Sequence, residues 1–324
     1  MAQGSIGYAV GRISVRRRDR LDAAKLDRLL AVETPQEAVR ALQEIGWAAA
    51  EQSADYEQAA GEHMRRACAF VREVSPQSRV TDCFLLRHDV QNLKLLLKAR
   101  CLGQDADFLS TCGTLPVDVL RHAVAEAGYT RLPEGLREPL ADLERRLAVR
   151  EDPLDIDVTL DKALYALAFD ALRGAGSRVA LAYFAARVDL VNALMLLRVR
   201  AMGRGAAFLA AMLISGGNIP EAALLERFDR PEELPRLLSP YGPRVAAVAK
   251  AAVQGALPGL EKAMDDYLLS LFAPYRARAD AIEALVGYLL VQEREASAVR
   301  LILAGKLNGF TGEAIRERLR DLYG

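Results

Sequence analysis

A nineteen-residue signature that recurs along the chain limits its fold more than any other feature. Residues 85–103 read LLRHDVQNLKLLLKARCLG and residues 185–203 read AARVDLVNALMLLRVRAMG. Aligned without a gap at an offset of 100, they share Arg87/Arg187, Asp89/Asp189, Asn92/Asn192, Leu97/Leu197, Arg100/Arg200 and Gly103/Gly203. Phe108-Leu109 and Phe208-Leu209 extend the match. A weaker third copy, VQEREASAVRLILAGKLNG at 291–309, stands 106 residues beyond the second. There Glu295 takes the aspartate's place, Lys306 that of the second arginine and Gly309 that of the glycine, while Ala298 replaces the asparagine. Upstream, Leu160-Asp161-Lys162-Ala163 is echoed by Leu260-Glu261-Lys262-Ala263. A period near 100 is too long for stacked solenoid repeats of about 20–50 residues. Each copy therefore has to be a small helical bundle in itself, and the chain divides into units at 1–110, 111–210 and 211–324.

The pattern inside these units is helical. Apolar residues recur at three- and four-residue spacing over 21–32, 59–73, 82–102, 161–173, 179–202 and 279–307, the period of an amphipathic helix. Alternating runs bounded by turn dipeptides, which mark strands, are nearly absent. Breaks at Thr34-Pro35, Ser75-Pro76, Asp152-Pro153, Ser239-Pro240 and Ala273-Pro274, and at Gly113 to Pro116, Gly174 to Gly176 and Gly216 to Pro220, punctuate about fifteen helices. The fold class is all-α.

At about 100° per residue, Asp89, Asn92, Leu96, Arg100 and Gly103 fall on one stripe roughly 80° wide. The same holds for Asp189, Asn192, Leu196, Arg200 and Gly203, and for Glu295, Ala298, Ile302, Lys306 and Gly309. An acid and a base thus enter a stripe that otherwise packs, and buried charge is tolerated only when paired and hydrogen-bonded. The signature reads as a structural polar contact that fixes how each long helix seats; a site built three times over is the alternative. Asp89 and Asp189 are expected to find partners within the protein, arginine first among them. Arg100 and Arg200 lie eleven residues along, about 16 Å on the same helix, so the partner has to come from a neighbouring element.

Composition narrows the function classes. The 43 Lys and Arg balance the 43 Asp and Glu, so the basic surplus that a dedicated nucleic-acid binder needs is missing. Apolar residues at 52% exclude disorder. The longest run free of Asp, Glu, Lys and Arg is Gly205 to Pro220, sixteen residues interrupted by Gly216, Gly217 and Asn218. A membrane span needs about 20 apolar residues, so none is expected. The N-terminus carries Arg12, Arg16, Arg17 and Arg18 without the apolar run of a signal peptide. Cys68, Cys83, Cys101 and Cys112 show no zinc-ligand spacing and suit a reducing cytoplasm. The chain reads as soluble and intracellular.

Catalytic motifs fail one by one. Asp155-Ile156-Asp157-Val158-Thr159 fits the DxDxT of aspartate-nucleophile phosphatases, but it follows the turn Arg150-Glu151-Asp152-Pro153 instead of ending a strand. Asp155 or Asp157 reads as a helix cap. No GxxxxGK[ST] occurs, and Gly305-Lys306 precedes Leu307, which offers no hydroxyl to magnesium. Gly174-Ala175-Gly176 follows a helix and lacks the third glycine of a dinucleotide loop. His63, His88 and His122 sit in no paired spacing; His88 beside Asp89 would be half a triad, but helical neighbours point about 100° apart. Asp265-Asp266 reads as a solvated helix face, and the Arg12–Arg20 cluster is diluted by Asp19 and Asp22. No catalytic, cofactor or metal residue is assigned.

Arg87-x-Asp89-x-x-Asn92-Leu93, repeated at Arg187-x-Asp189-x-x-Asn192 and degenerate at Glu293-Arg294-Glu295, resembles the C-subunit family of V/A-type ATPases, homologous to the d subunit of the eukaryotic membrane sector. The opening Tyr8-Ala9-Val10-Gly11-Arg12-Ile13 and the closing RLILAGKLNGFTGEAIRERL at 300–319 are similar to the family's ends. The resemblance implies three similar helical subdomains around a pseudo-threefold axis, shaped as a funnel. It implies a non-catalytic component of a proton-translocating rotary ATPase or ATP synthase, present in single copy. Its partners would be the proteolipid c/L ring and the D and F subunits of the central stalk, on the cytoplasmic face, with membrane association through those partners only. No cofactor and no nucleic acid are implied. The repeat alone also allows a helical-repeat scaffold unrelated to rotary ATPases, and an all-α enzyme with an unrecognised site is the third class.

Overall fold

The computed structural model describes residues 4–17, 20–44, 46–47 and 56–323. Among these residues the regular elements are sixteen α-helices and short 3-10 turns, with no strand. In chain order they are α1 (Ile6–Arg16), α2 (Ala23–Ala31), α3 (Pro35–Glu44), α4 (Tyr56–Val74), α5 (Ser78–Cys101), α6 (Val117–Ala125), α7 (Glu134–Leu147) and α8 (Pro153–Leu172). Then come α9 (Arg178–Ala201), α10 (Ala206–Met212), α11 (Glu221–Glu226), α12 (Leu234–Leu237), α13 (Pro243–Val253), α14 (Leu257–Ser270), α15 (Glu283–Leu307) and α16 (Gly312–Arg318). The all-α expectation holds.

The chain forms two compact units, Asp82–Leu268 and Met1–Thr81 with Leu269–Gly324. In the first, Leu93 and Leu97 of α5 pack with Leu120 of α6, Leu136, Leu140 and Leu143 of α7 and Leu160 of α8, all essentially inaccessible. Full burial of each such side chain contributes about 1.5–3 kcal/mol. In the second unit α4 lies along α15, with Phe70 edge-on to Tyr288 at 5.9 Å between ring centroids. The three-unit division at 1–110, 111–210 and 211–324 is a division of the sequence.

The three longest helices, α5, α9 and α15, carry the three signatures and end alike. Gly103, Gly203 and Gly309 have φ of 62°, 66° and 73°, the left-handed conformation that glycine enters without a Cβ penalty. That turn lets the next residue's N–H reach back to the helix: Gln104 to the Ala99 carbonyl, Arg204 to Val199 and Phe310 to Gly305, the long bond of a Schellman ending. The signature glycine is thus the stop signal of each long helix.

One helix departs from the expectation about spans. α9 is long and apolar enough to cross a membrane by length and composition. Its apolar stretch, however, is 61% buried inside the protein, and it carries the buried Asp189 and Asn192 with protein partners. A helix apolar all round is what a protein core requires, and α9 is a core helix.

Candidate functional site

The acids of the first two signatures accept hydrogen bonds from the segment that follows α5 and α9. Asp89, fully buried, accepts from the Thr114 N–H at 2.7 Å, the Thr114 hydroxyl at 2.7 Å and the Leu115 N–H at 3.1 Å. Asp189, also fully buried, accepts from the Asn218 N–H at 2.8 Å, the Ile219 N–H at 3.0 Å and the Tyr241 hydroxyl. The asparagines fasten the same loops. Asn92 donates to the Ser110 carbonyl at 2.7 Å and accepts from its N–H at 2.8 Å. Asn192 does the same to Ile214, at 2.8 and 2.9 Å. A carboxamide offers a donor and an acceptor together, so it satisfies both halves of one backbone unit.

The fit is close enough to demand glycine. A Cβ on Gly113 would stand 1.9 Å from Asp89 Oδ1, and one on Gly217 the same 1.9 Å from Asp189 Oδ1. The two loops therefore share the pattern Gly113-Thr114-Leu115-Pro116 and Gly217-Asn218-Ile219-Pro220. Each proline is the N-cap residue of the next helix, α6 or α11.

The signature bases meet the other end of that short helix. Arg100 donates to the Val124 carbonyl at 2.7 Å and forks onto the Glu144 carboxylate at 2.7 and 2.8 Å. Arg200 donates to the Phe228 carbonyl, just past α11. From the residue whose N–H meets the acid to the one whose carbonyl meets the base is nine positions in both copies, Leu115 to Val124 and Ile219 to Phe228. Acid and base thus clamp one short helix at its two ends, and the short helix runs in the same sense as the long one. The anion sits at the positive end of the helix dipole and the cation at the negative end, each worth about 0.3–1 kcal/mol, more when partly buried.

The third copy makes the same clamp with a different segment. Glu295, 1% exposed, accepts from the Leu21 N–H at 2.9 Å, from Gln292 at 3.0 Å and from the Tyr323 hydroxyl at 3.1 Å. Lys306 donates to the Leu30 carbonyl at 2.8 Å, in the last turn of α2. Leu21 to Leu30 is again nine positions. Ala298, in the asparagine's place, is buried without a polar group.

Burial pushes the Asp189 and Glu295 carboxyls above their ordinary values, against the hydrogen bonds that favour the anion. His63, stacked on Trp47 at 3.8 Å and 3.8 Å from the Glu295 carboxylate, is pushed down to about 4 by burial. Arg87 and Arg187, two residues ahead of the acids, are half-buried, and Arg187 lies at the Tyr165 hydroxyl. The arginine partner expected for Asp189 is replaced by backbone N–H groups and a phenol, because the helix N-terminus brings unpaired N–H groups that an arginine would exclude. What this arrangement does chemically is position a helix.

The cap of α8 is Asp152, whose carboxylate accepts from the Leu154 N–H at 2.9 Å. Asp155 lies in the first turn and Asp157 pairs with Lys98 at 2.8 Å, so neither Asp155 nor Asp157 is the cap. Asp266 is not on a solvated face: it is buried and paired with Arg244 at 3.2 Å. His88 meets the Ser110 hydroxyl at 3.2 Å while Asp89 turns to Thr114, so the half-triad does not form. In the N-terminal cluster Arg12 and Arg16 lie over the Phe70 ring and Arg20 over the Tyr323 ring; Arg18 and Asp19 fall outside the described residues.

Comparison with known proteins places the sequence in a family. Residues 9–318 match the family model of the ATP synthase (C/AC39) subunit. The chain is 27% identical over 274 residues to the C subunit of the V-type sodium ATPase of Enterococcus hirae, covering 83% of each chain. It is 27% identical over 244 residues to the C subunit of the A-type ATP synthase of Thermococcus onnurineus, covering 72% of this chain and 65% of that one. Against the C subunit of the A-type ATP synthase of a Desulfurococcus species the identity is 28% over 239 residues, with 71% and 65% covered.

Proposed function

The chain belongs to the ATP synthase (C/AC39) subunit family, and from that premise we propose that it is the non-catalytic central-rotor component of a proton-translocating rotary V/A-type ATPase or ATP synthase. In this reading it links the membrane proteolipid ring to the D and F subunits of the central stalk and carries torque between them. It is a peripheral component on the cytoplasmic face, one copy per complex, held to the membrane by its partners. The three signatures mark three related helical units, near 1–110, 111–210 and 211–324, arranged as a funnel about a pseudo-threefold axis.

The observation that carries the reading is the clamp built three times. A part that passes torque has to resist shear between its helices. A short helix fastened at both ends by charge-assisted bonds, buried at the acid and half-buried at Arg100 and Arg200, cannot slide along its neighbour without stranding an acid at one end and a base at the other, and stranded buried charge is costly. The carboxylates of Asp189 and Glu295 are engaged by protein donors on both oxygens, which suits a structural part and leaves them nothing to do to a substrate.

Affinity purification of the tagged chain from detergent-solubilised membranes tests this. The proteolipid ring and the stalk proteins should co-purify, with one copy of the chain per complex. Recovery of the chain without either partner would instead favour a scaffold unrelated to rotary ATPases. Turnover of ATP by the isolated chain would point to the enzyme class.

A further inference from the structure

After α5 and α9 the chain runs on into its own clamp loop and clamp helix; after α15 it does not. The segment that fills that place is Arg20-Leu21-Asp22 and α2, with Leu21 standing where Leu115 and Ile219 stand. Helix α4 follows the same exchange: Arg300 on α15 pairs with Glu57 at 2.8 Å, as Lys94 on α5 pairs with Asp161 of α8 at 2.7 Å and Arg198 on α9 with Glu261 of α14 at 2.6 Å. The third clamp is therefore closed by the N-terminal part of the chain, and the C-terminal part closes it too. The Tyr323 hydroxyl reaches both the Glu295 carboxylate and the Leu21 carbonyl, Arg316 of α16 pairs with Asp27 of α2 at 2.5 Å, and a Cβ on Gly312 would stand 2.5 Å from the Leu30 carbonyl oxygen.

We propose that this third clamp is a latch made by α2 and the segment that follows α16: the Tyr323 hydroxyl locks the strap Arg20–Ala31 onto α15, and the strap opens locally while the α6 clamp stays shut. The donors to Asp89 come from the clamp loop itself, Thr114 and Leu115, and Asn92 adds two further bonds to that loop. Glu295 takes one backbone N–H from the strap, Ala298 adds no carboxamide, and the hydroxyl comes from a residue beyond the last helix. Tyr323 can leave without unwinding any helix, and its departure removes the single hydroxyl proton for which the Glu295 carboxylate and the Leu21 carbonyl compete. Local openings draw on regions with the fewest such ties. The latch rests on this geometry and stands or falls apart from the rotor reading.

Native-state amide hydrogen exchange on the full-length protein tests it, because α2 and α6 are both nine-residue helices held by the same kind of clamp. In the wild type α2 amides should exchange faster than those of α6. Tyr323→Phe should speed α2 by roughly tenfold, the cost of a lost bond to a charged group, and leave α6 unchanged; Lys306→Met, at the other end of the clamp, should do the same. Equal protection of α2 and α6 in the wild type overturns the latch. So does a Tyr323→Phe or Lys306→Met protein in which both helices speed up together or neither does.

Discussion

The Asp189 clamp and the Glu295 clamp hold the same kind of helix by different means. At Asp189 the loop, the helix and the acid belong to one continuous stretch, and two backbone N–H groups, a phenol and the Asn192 carboxamide fasten it. At Glu295 the helix is imported from 274 residues upstream, and the fastening is one backbone N–H with the side chains of Gln292 on α15 and Tyr323. What both keep is the register, an acid and a base eleven residues apart set against a nine-position helix. Register is the physical quantity the copies share within this molecule, and connectivity is free to vary.

The largest expected effect breaks the stronger clamp. Asp189→Ala leaves the Asn218 and Ile219 N–H groups and the Tyr241 hydroxyl without their acceptor, at a cost of about 1–3 kcal/mol for each. Glu295→Ala should cost less, since it strands one backbone N–H and the Gln292 amide while Tyr323 keeps the Leu21 carbonyl as acceptor, and calorimetric melting that ranks the two alike would remove the distinction. Next comes Asn192→Ala, which unpairs both backbone groups of Ile214 at about 1–3 kcal/mol each; denaturant titration should find Ala298→Gly free of any comparable polar penalty, because no loop is fastened there. Gly217→Ala and Gly113→Ala should each cost about 1–3 kcal/mol through overpacking against the acid, with the paired change Gly217→Ala, Asp189→Ala losing less than the sum of its parts.

Protonation gives the smallest and finest test. Burial raises the Glu295 carboxyl above its ordinary 4.5, so the folded state holds that proton more tightly than the unfolded chain does. Its contribution to stability is then fully present below 4.5 and is lost as pH rises through the raised folded value. His63, pushed down to about 4, acts in the opposite sense, because the unfolded chain takes up its proton first as pH falls below the usual 6.5. The quantity to read is therefore the difference between wild type and Glu295→Gln, measured by denaturant midpoint between about pH 5 and 8. Wild type should lose ground to the variant as pH rises; a flat difference would mean that Glu295 titrates as it does in the unfolded chain.

Much of this was legible in the sequence, and the rest was hidden for identifiable reasons. The helices, the two strong signatures and the weak third one follow from spacing alone, and the stripe shared by acid, base and glycine points to a polar contact. The partners did not follow. Gly113-Thr114-Leu115-Pro116 and Gly217-Asn218-Ile219-Pro220 stand 104 residues apart, and the gapless offset of 100 steps past them; allowing a four-residue insertion would have exposed both glycines and both prolines. Leu21 and Leu30 could not be found by local spacing, because the third clamp closes through the fold. Arginine was the expected partner of Asp189 because charge was matched to charge, whereas a helix start supplies N–H groups that serve an anion as well.

The nine-position interval works as a gauge of allowed length. Between Asn92 and Ser110 the chain spends eighteen residues, and between Asn192 and Ile214 twenty-two, so that stretch tolerates insertions. Inside α6, α11 or α2 one added residue turns everything beyond it by about 100° and shifts it about 1.5 Å, and the terminal carbonyl no longer faces its base. Length variation among proteins built on this plan should accumulate ahead of the proline and stop there.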